Sequence, residues 1–331
     1  MNRLLLGASG LRVTRLGLGL AALGRPGYIN LGHSGDLEGG TSVEAMAAHA
    51  ESVLDAAWQA GIRYFDAARS YGRAEEFLSG WLTRHTINPD EVAVGSKWGY
   101  RYTANWRVQA DRHEVKEHSL PMLEQQWRES QALLGPWLGL YQVHSATMES
   151  GVLHNAAVLA ELVRLKERGT AIGLTLSGAS QAETLEMAVQ SSVDGLPVFD
   201  VVQATWNLLE PSAGAALGAA HLAGMGVIVK EALANGRLTG RNQELDFAPR
   251  HAILQDQSRR FGVGMDAFAL AAALAQPWAD VVLSGASTVA QLQSNVGALD
   301  VPWDNEAARV TRVLAEAPEL YWQKRAALDW N

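Results

Sequence analysis

A strand-sized apolar run that keeps returning, with room for a helix after each return, leaves few folds open. Eight such runs occur in this chain: Arg15–Ala21, Ile62–Asp66, Val92–Lys97, Leu138–His144, Ala171–Ser177, Asp200–Thr205, Val227–Glu231 and Val281–Ser284. Val201-Val202 and Val227-Ile228-Val229 lack polar alternation, which is the pattern of parallel strands buried on both faces. Helix-period segments fall at Val43–Ala60, His113–Leu134, Ala157–Arg168, Ala182–Val193, Ser212–Ala223, Met265–Ala275 and Val289–Leu299. Eight strand-then-helix units favour a closed (β/α)8 barrel over the alternative, an open sheet of two domains.

Ahead of the first unit, two short apolar stretches flank a Ser9-Gly10 turn, which predicts a β-hairpin capping the barrel floor. The aromatic tail (Trp303, Tyr321, Trp322, Trp330) reads as a C-terminal helical extension packed on the barrel, a pocket wall being the alternative. No linker or internal repeat interrupts residues 1–331, so one domain is expected. Long loops, Ala22 to Thr41 and Leu233 to Val263, follow the first and seventh strands, on the face where such barrels place their chemistry.

Composition removes several function classes. With 27 basic against 35 acidic residues the chain carries −8, which argues against a general nucleic-acid or anionic-membrane surface. There is no cysteine, so thiolate metal sites, disulfides and thiol nucleophiles are excluded, and no metal-ligand spacing of histidines appears. The longest apolar run noted, Ala267–Ala275, is far short of the ~20 residues that span a bilayer. No targeting segment is seen either, and a cytoplasmic protein is expected. Oligomeric state is left open.

Gly17-Leu18-Gly19-Leu20-Ala21-Ala22 imitates the G-x-G-x-x-A dinucleotide fingerprint, but that motif must open a helix. Gly24, Pro26 and Gly27 follow instead, so these glycines read as closely packed strand and loop backbone. His113 and His118, five apart on an expected helix, read as solvated.

Four polar residues end, or closely follow, separate strands: Asp66, Tyr71, Lys97 and His144. A barrel brings such positions to one mouth, where unpaired polar groups would be costly unless they pair with one another. The set suits proton transfer to a carbonyl. Tyrosine is a weak acid, a lysine cation lowers its pKa, an aspartate holds the lysine, and an imidazole donates to the substrate oxygen. None of them can supply a hydride, so a cofactor is required.

These residues lie in segments that resemble the aldo-keto reductase superfamily. The likeness runs from Leu6-Gly7-Ala8-Ser9-Gly10 to Gly19, through Gly61-Ile62-Arg63-Tyr64-Phe65-Asp66-Ala67-Ala68-Arg69-Ser70-Tyr71-Gly72 and Leu140-Tyr141-Gln142-Val143-His144-Ser145, to Ser284-Gly285-Ala286-Ser287 and Asn295. The resemblance implies a TIM barrel that binds NADP(H), with NAD(H) possible, without a Rossmann domain. It implies Tyr71 as general acid/base, Asp66 and Lys97 tuning it, and His144 orienting the carbonyl.

For the cofactor, the resemblance points to Gly19 and Leu20 after the first strand, and to Ser177 and Gln203 on the carboxamide. Gly178 stands where the family commonly has Asn. Lys230 stands where an aromatic residue usually stacks on nicotinamide, followed by Glu231, Ala232 and Leu233; a local Lys230–Glu231 ion pair is the plainer reading. Gly285, Ser287, Thr288, Gln291 and Asn295 correspond to the adenosine-phosphate loop, which here lacks the Lys and Arg that many relatives place around a 2′-phosphate.

Tyr28, Trp98 and Trp206 are expected substrate contacts, with Tyr100 and Trp106 nearby, and suit a small carbonyl or a sugar ring. Arg25, Asn30, His33 and Arg69 are loop polar groups that could read hydroxyls or an anion. Two other readings stand beside the reductase: an aldose or lactol 1-dehydrogenase working mainly by oxidation, and a non-catalytic cofactor-sensing subunit.

Overall fold

The computed structural model describes residues 1–331 apart from Glu38, which falls in the first long loop. Eight parallel strands close on themselves: β1 Leu16–Gly19, β2 Tyr64–Asp66, β3 Ala93–Trp98, β4 Leu138–Ala146, β5 Ala171–Leu176, β6 Val201–Thr205, β7 Gly226–Lys230 and β8 Val281–Ser284. Each strand pairs with its sequence neighbours, and β8 returns to β1 through Val282↔Leu16 and Ser284↔Leu18. Eleven α-helices occur among the described residues. They are α1 Val43–Gln59, α2 Ala74–Arg84, α3 Leu120–Leu134, α4 Ala156–Glu167, α5 Gln181–Gln190, α6 Gly214–Leu222, α7 Ala248–Phe261, α8 Met265–Leu274, α9 Val289–Val296, α10 Asn305–Thr311 and α11 Pro318–Ala326. No helix is long and apolar enough to cross a membrane among the described residues.

The expected hairpin is present: Arg3–Leu5 pairs antiparallel with Arg12–Thr14. It carries Leu6 and Val13 into a cluster with Tyr64, Leu140, Val201 and Ile228, which seals the barrel floor with apolar surface. At the other end α11 closes the extension, packing Tyr321 into the main core.

Three expectations differ. The segment Ala74–Arg84 is a helix (α2), burying Phe77, Leu78, Trp81 and Leu82. Residues 113–119 are not helical: Glu114–Lys116 pairs with Tyr100–Tyr102 as a second hairpin, and α3 starts only after Ser119, whose side chain accepts from the Met122 N–H. The long loop after β7 holds a complete helix, α7, ended by Gly262 in the left-handed region.

Inside the barrel, Gly95 and Gly173 are empty so that larger neighbours can reach inward. A Cβ at Gly95 would lie 2.5 Å from the Tyr64 hydroxyl, and one at Gly173 would lie 2.9 Å from the Gln142 side chain. Both of those side chains end on Asp66. The space for the polar network is therefore set by glycine on two interior strands.

Candidate active site

Asp66 ends β2 with its carboxylate almost fully buried and both oxygens hydrogen-bonded. Oδ1 accepts from Tyr64 Oη at 3.1 Å, Gln142 Nε2 at 3.2 Å and Gln203 Nε2 at 3.0 Å. Oδ2 accepts from Lys97 Nζ, which also donates to the Ala67 carbonyl at 2.9 Å. Lys97 and Asp66 are 1% and 2% exposed, so the pair is dry, and its desolvation cost is met by these added bonds.

Tyr71 lies five residues beyond Asp66 because the chain turns back on β1. The Tyr71 N–H donates to the Ala68 carbonyl, and the Arg73 N–H to the Gly24 carbonyl at 2.7 Å. Gly72 has φ +58° and Gly24 lies where a Cβ would be 2.2 Å from the Tyr71 carbonyl, so neither turn has room for a side chain. The Tyr71 ring then sits with Lys97 Nζ 4.7 Å and the Arg25 guanidinium 5.3 Å from its centre. Burial, then the Asp66 carboxylate, push the Tyr71 pKa well above the ordinary 10, outweighing Arg25. The Lys97 ammonium favours the phenolate, as expected, but burial and Asp66 outweigh it and the phenol holds its proton.

His144 meets Tyr71 edge-on, ring centres 5.5 Å apart. A register shift between Val143 and Ala146 re-aims the end of β4, and Ser145 takes φ +53° with its N–H on Thr175 Oγ1 at 2.7 Å. The His144 Nδ1 edge faces Ser70 Oγ at 3.4 Å. Burial, then the Lys97 and Lys230 ammoniums, hold its pKa well below 6.5, so the imidazole is neutral and can donate one hydrogen bond into the cavity.

These groups open onto a cavity of about 500 Å³ lined by Gly19, Tyr28, Asp66, Tyr71 and His144 at one end and by Gly285, Ser287, Gln291 and Asn295 at the other. Eight parallel strands thus hold a dry ammonium–carboxylate pair beneath a protonated phenol, with a neutral imidazole beside it. The aldo/keto reductase family model matches residues 15–314. The chain belongs to the aldo/keto reductase family. Among the relatives of this chain, the aldo-keto reductase str7 of Strobilurus tenacellus is 26% identical over 334 residues, covering 94% of this chain and 90% of that protein. Pyridoxal 4-dehydrogenase of Microbacterium luteolum is 30% identical over 160 residues, 42% of each chain. An aldo-keto reductase from Bacillus halodurans, solved in its holo form, superposes with a TM-score of 0.73 at 20% identity, covering 96% of this chain and 97% of the other, which shows a shared fold.

Not every residue singled out in the sequence reaches the cavity. Lys97 acts from behind Asp66. Trp98 is fully buried with its ring against His118, and Trp206 packs edge-on against Trp278 at 5.8 Å. Strand alternation explains both: Lys97 and Thr205 face inward, so the residues that follow face the helices. Leu20 is buried, giving only its N–H to the Asp66 carbonyl at 2.9 Å. Ser177 lies one residue past β5 outside the lining, where Thr175, in register with Gln203, takes part instead. Thr288 serves as N-cap of α9, accepting from the Gln291 N–H. Arg69 is held by Glu75 and Glu129, and His33 is buried outside the lining.

Lys230, Glu231 and Leu233 do line the cavity. Lys230 Nζ donates to Thr205 Oγ1 at 2.8 Å and stands 3.7 Å from Glu231, whose main partner is Arg325 of α11 at 2.5 Å. Burial lowers Lys230 to about 8, partly offset by Glu231. Burial raises Glu231, but Arg325 and Lys230 bring it to about 2. The expected local ion pair is thus a three-member bridge that ties the C-terminal helix to the barrel mouth.

Arg25 and Trp330 reach the cavity, as the loop-cation and pocket-wall readings allow, but through partners the sequence does not show. Arg25 is buried between Glu114 (3.0 Å) and the rings of Tyr71, Tyr28 and Trp330. The tail beyond α11 crosses the mouth: Trp330 stacks on His113 at 3.8 Å, and Asn331 exchanges backbone hydrogen bonds with Tyr28 at 3.0 and 3.1 Å. Trp330 is a cavity wall, and His113, expected to be solvated, is its buried platform; His118, likewise expected to be solvated, donates from Nε2 to the His144 carbonyl at 2.9 Å.

Proposed function

We propose that this chain, acting as one domain over residues 1–331, interconverts a small carbonyl compound and its alcohol with a nicotinamide dinucleotide, using Tyr71 as general acid/base. One observation carries the reading: a phenol kept protonated and a neutral imidazole share one end of a cavity large enough for a dinucleotide, above a dry Lys97–Asp66 pair. When bound, the dinucleotide supplies or accepts the hydride. Family membership favours NADP(H), with NAD(H) the alternative. Gln203, Lys230, Ser287, Gln291 and Asn295 are the lining side chains able to hold it, and Gly19 and Gly285 leave room for close approach.

In reduction, Tyr71 Oη gives its proton to the oxygen that becomes the alcohol. His144 holds that oxygen in place through a hydrogen bond. The Lys97 ammonium stabilises the phenolate left behind, and Asp66, fixed by its other donors, keeps the ammonium aimed. In oxidation the same proton returns to Tyr71. Trp330, Tyr28 and Arg25 wall the space in front of these groups and exclude water.

The oxidative direction is the second reading, supported by the partial match to a pyridoxal 4-dehydrogenase. Both readings are tested by incubating the purified chain with a generic aldehyde such as nitrobenzaldehyde and reduced dinucleotide, and with simple aldoses or lactols and oxidised dinucleotide. Turnover in either arm supports the oxidoreductase; dinucleotide binding with no turnover of any carbonyl or alcohol would favour a sensing role instead.

A further inference from the structure

Behind the lining at the far end of the cavity, bonded to Ser287, Gln291 and Arg241 of that lining, lies an unexpected acid. Asp36, on the turn His33–Asp36 after β1, is only 7% exposed and reaches across to the β8–α9 junction, more than 250 residues away in sequence. Its Oδ2 accepts from Ser287 Oγ at 2.6 Å, Gln291 Nε2 at 3.0 Å and Arg241 Nη1 at 2.8 Å. Its Oδ1 accepts from Gln291 Nε2 at 3.0 Å and from Arg241 Nη2. The Ser287 hydroxyl and the Gln291 amide, which a phosphate ester at this junction would need as donors, are both committed to a carboxylate.

The charge count at this end follows the same direction. Four lysine or arginine side chains line the cavity: Arg25, Lys230, Arg241 and Arg325. Arg25 is on Tyr71, Lys230 on Thr205 and Arg325 on Glu231, all at the catalytic end. Arg241 alone stands at the Ser287 end among the described residues, and Asp36 neutralises it. A second carboxylate, Asp266, also lines this end, accepting from Ser294 Oγ at 2.9 Å. His49 is close by, its Nε2 against the Ser287 carbonyl, and so cannot offer that edge to an anion.

We infer that Asp36 makes this end of the site select NAD(H) over NADP(H). The inference rests on the proposed placement of the adenosine ribose beside Ser287 and Gln291. A ribose diol is neutral, and its hydroxyls can donate to the free lone pairs of Ser287 Oγ, so it needs none of the donors that Asp36 holds. A 2′-phosphate offers no proton and brings nearly two negative charges at neutral pH. It would meet Asp36 and Asp266 with only one guanidinium, already bonded. Gaining the phosphate would mean breaking the Asp36–Arg241 fork and leaving a buried carboxylate beside a dianion. Asp36 is therefore a specificity-determining residue of the cofactor site.

The test is equilibrium binding to the full chain, read by fluorescence or calorimetry. NADH and NADPH are titrated alongside ADP-ribose and its 2′-phosphate, which lack the nicotinamide. NADH and ADP-ribose are expected to bind tighter than their 2′-phosphorylated partners by about tenfold or more, because the phosphate must take its donors from Asp36. Asp36→Asn should bring the ratio near unity, mostly by improving NADPH. Arg241→Ala, which leaves Asp36 unneutralised, should widen it. Melting curves establish that both variants are folded, and the wild-type ratio decides the matter if either is not. Equal or tighter binding of the phosphorylated partners to the wild type would overturn the inference while leaving the oxidoreductase reading intact. Failure of all four compounds to bind would instead overturn the proposed cofactor site, and the inference with it.

Discussion

Lys97→Met tests whether the pair beneath Tyr71 is structural ground as well as catalytic equipment. The substitution keeps the length of the side chain and removes the ammonium. Asp66 would keep three neutral donors, from Tyr64, Gln142 and Gln203 at 3.0 to 3.2 Å, but lose the only charge-neutralising one at a site 2% exposed. Stranding one member of a buried pair costs about 3–5 kcal/mol. The neutral donors reduce this, so a loss toward the lower end, about 3 kcal/mol, is expected. Restoring neutrality with Asp66→Asn in the same chain should return a large share of it, because Asn keeps an acceptor for the donors and carries no charge. Urea unfolding of wild type, both single variants and the double variant closes the cycle. The reasoning is refuted if Lys97→Met changes stability by less than about 0.5 kcal/mol, or if the double variant is as unstable as the sum of the singles.

Other outcomes follow from particular contacts. Gly95→Ala should cost about 1–3 kcal/mol and lower turnover, since its Cβ would displace the Tyr64 hydroxyl at 2.5 Å from Asp66; a wild-type melting temperature and rate would contradict the interior packing. Burial lowers His33 from 6.5 to about 4, so the folded state binds fewer protons than the unfolded one between these values. That stabilisation is complete above pH 6.5 and is lost as pH falls toward 4, about 3 kcal/mol in all, and His33→Gln should flatten this limb of a stability–pH curve. Trp330→Ala removes the wall stacked on His113 at 3.8 Å, and should raise KM for the carbonyl substrate more than it lowers kcat; a kcat effect alone would place Trp330 outside the substrate space.

The barrel is readable because parallel strands buried on both faces are short unbroken apolar runs, and all eight end within two residues of the observed limit. At β1 the expected run overreaches to Ala21, because Leu20 continues the apolar pattern after the ladder has ended. The helix α2 was overlooked although Phe77, Leu78, Trp81 and Leu82 repeat at helical spacing, since Glu75, Glu76 and Gly80 dilute the run. For α3, Ser119 followed by Pro121 marked the true start, and the polar residues before it pair as a hairpin. Asp66, Tyr71, Lys97 and His144 stood out by lying at strand ends, and the closed barrel brings those ends together. Trp98 and Trp206 were misplaced by ignoring the two-residue alternation that Lys97 and Thr205 already set. Arg25 is legible only as a loop cation with a possible contact to the ligand, and Asp36 is not legible at all. Each lies in a loop without periodicity, and each acts through partners, Ser287 and Glu114, that only the closed barrel brings near.

The central claim is that Tyr71 moves the proton, and Tyr71→Phe addresses it by deleting one oxygen from a buried ring. The decisive measurement is the single-turnover rate of aldehyde reduction by the variant, taken with its affinity for the reduced dinucleotide. A fall of about a hundredfold or more in rate with affinity within a few-fold of wild type is the predicted result. An unchanged rate at equal affinity would show that the proton comes from elsewhere.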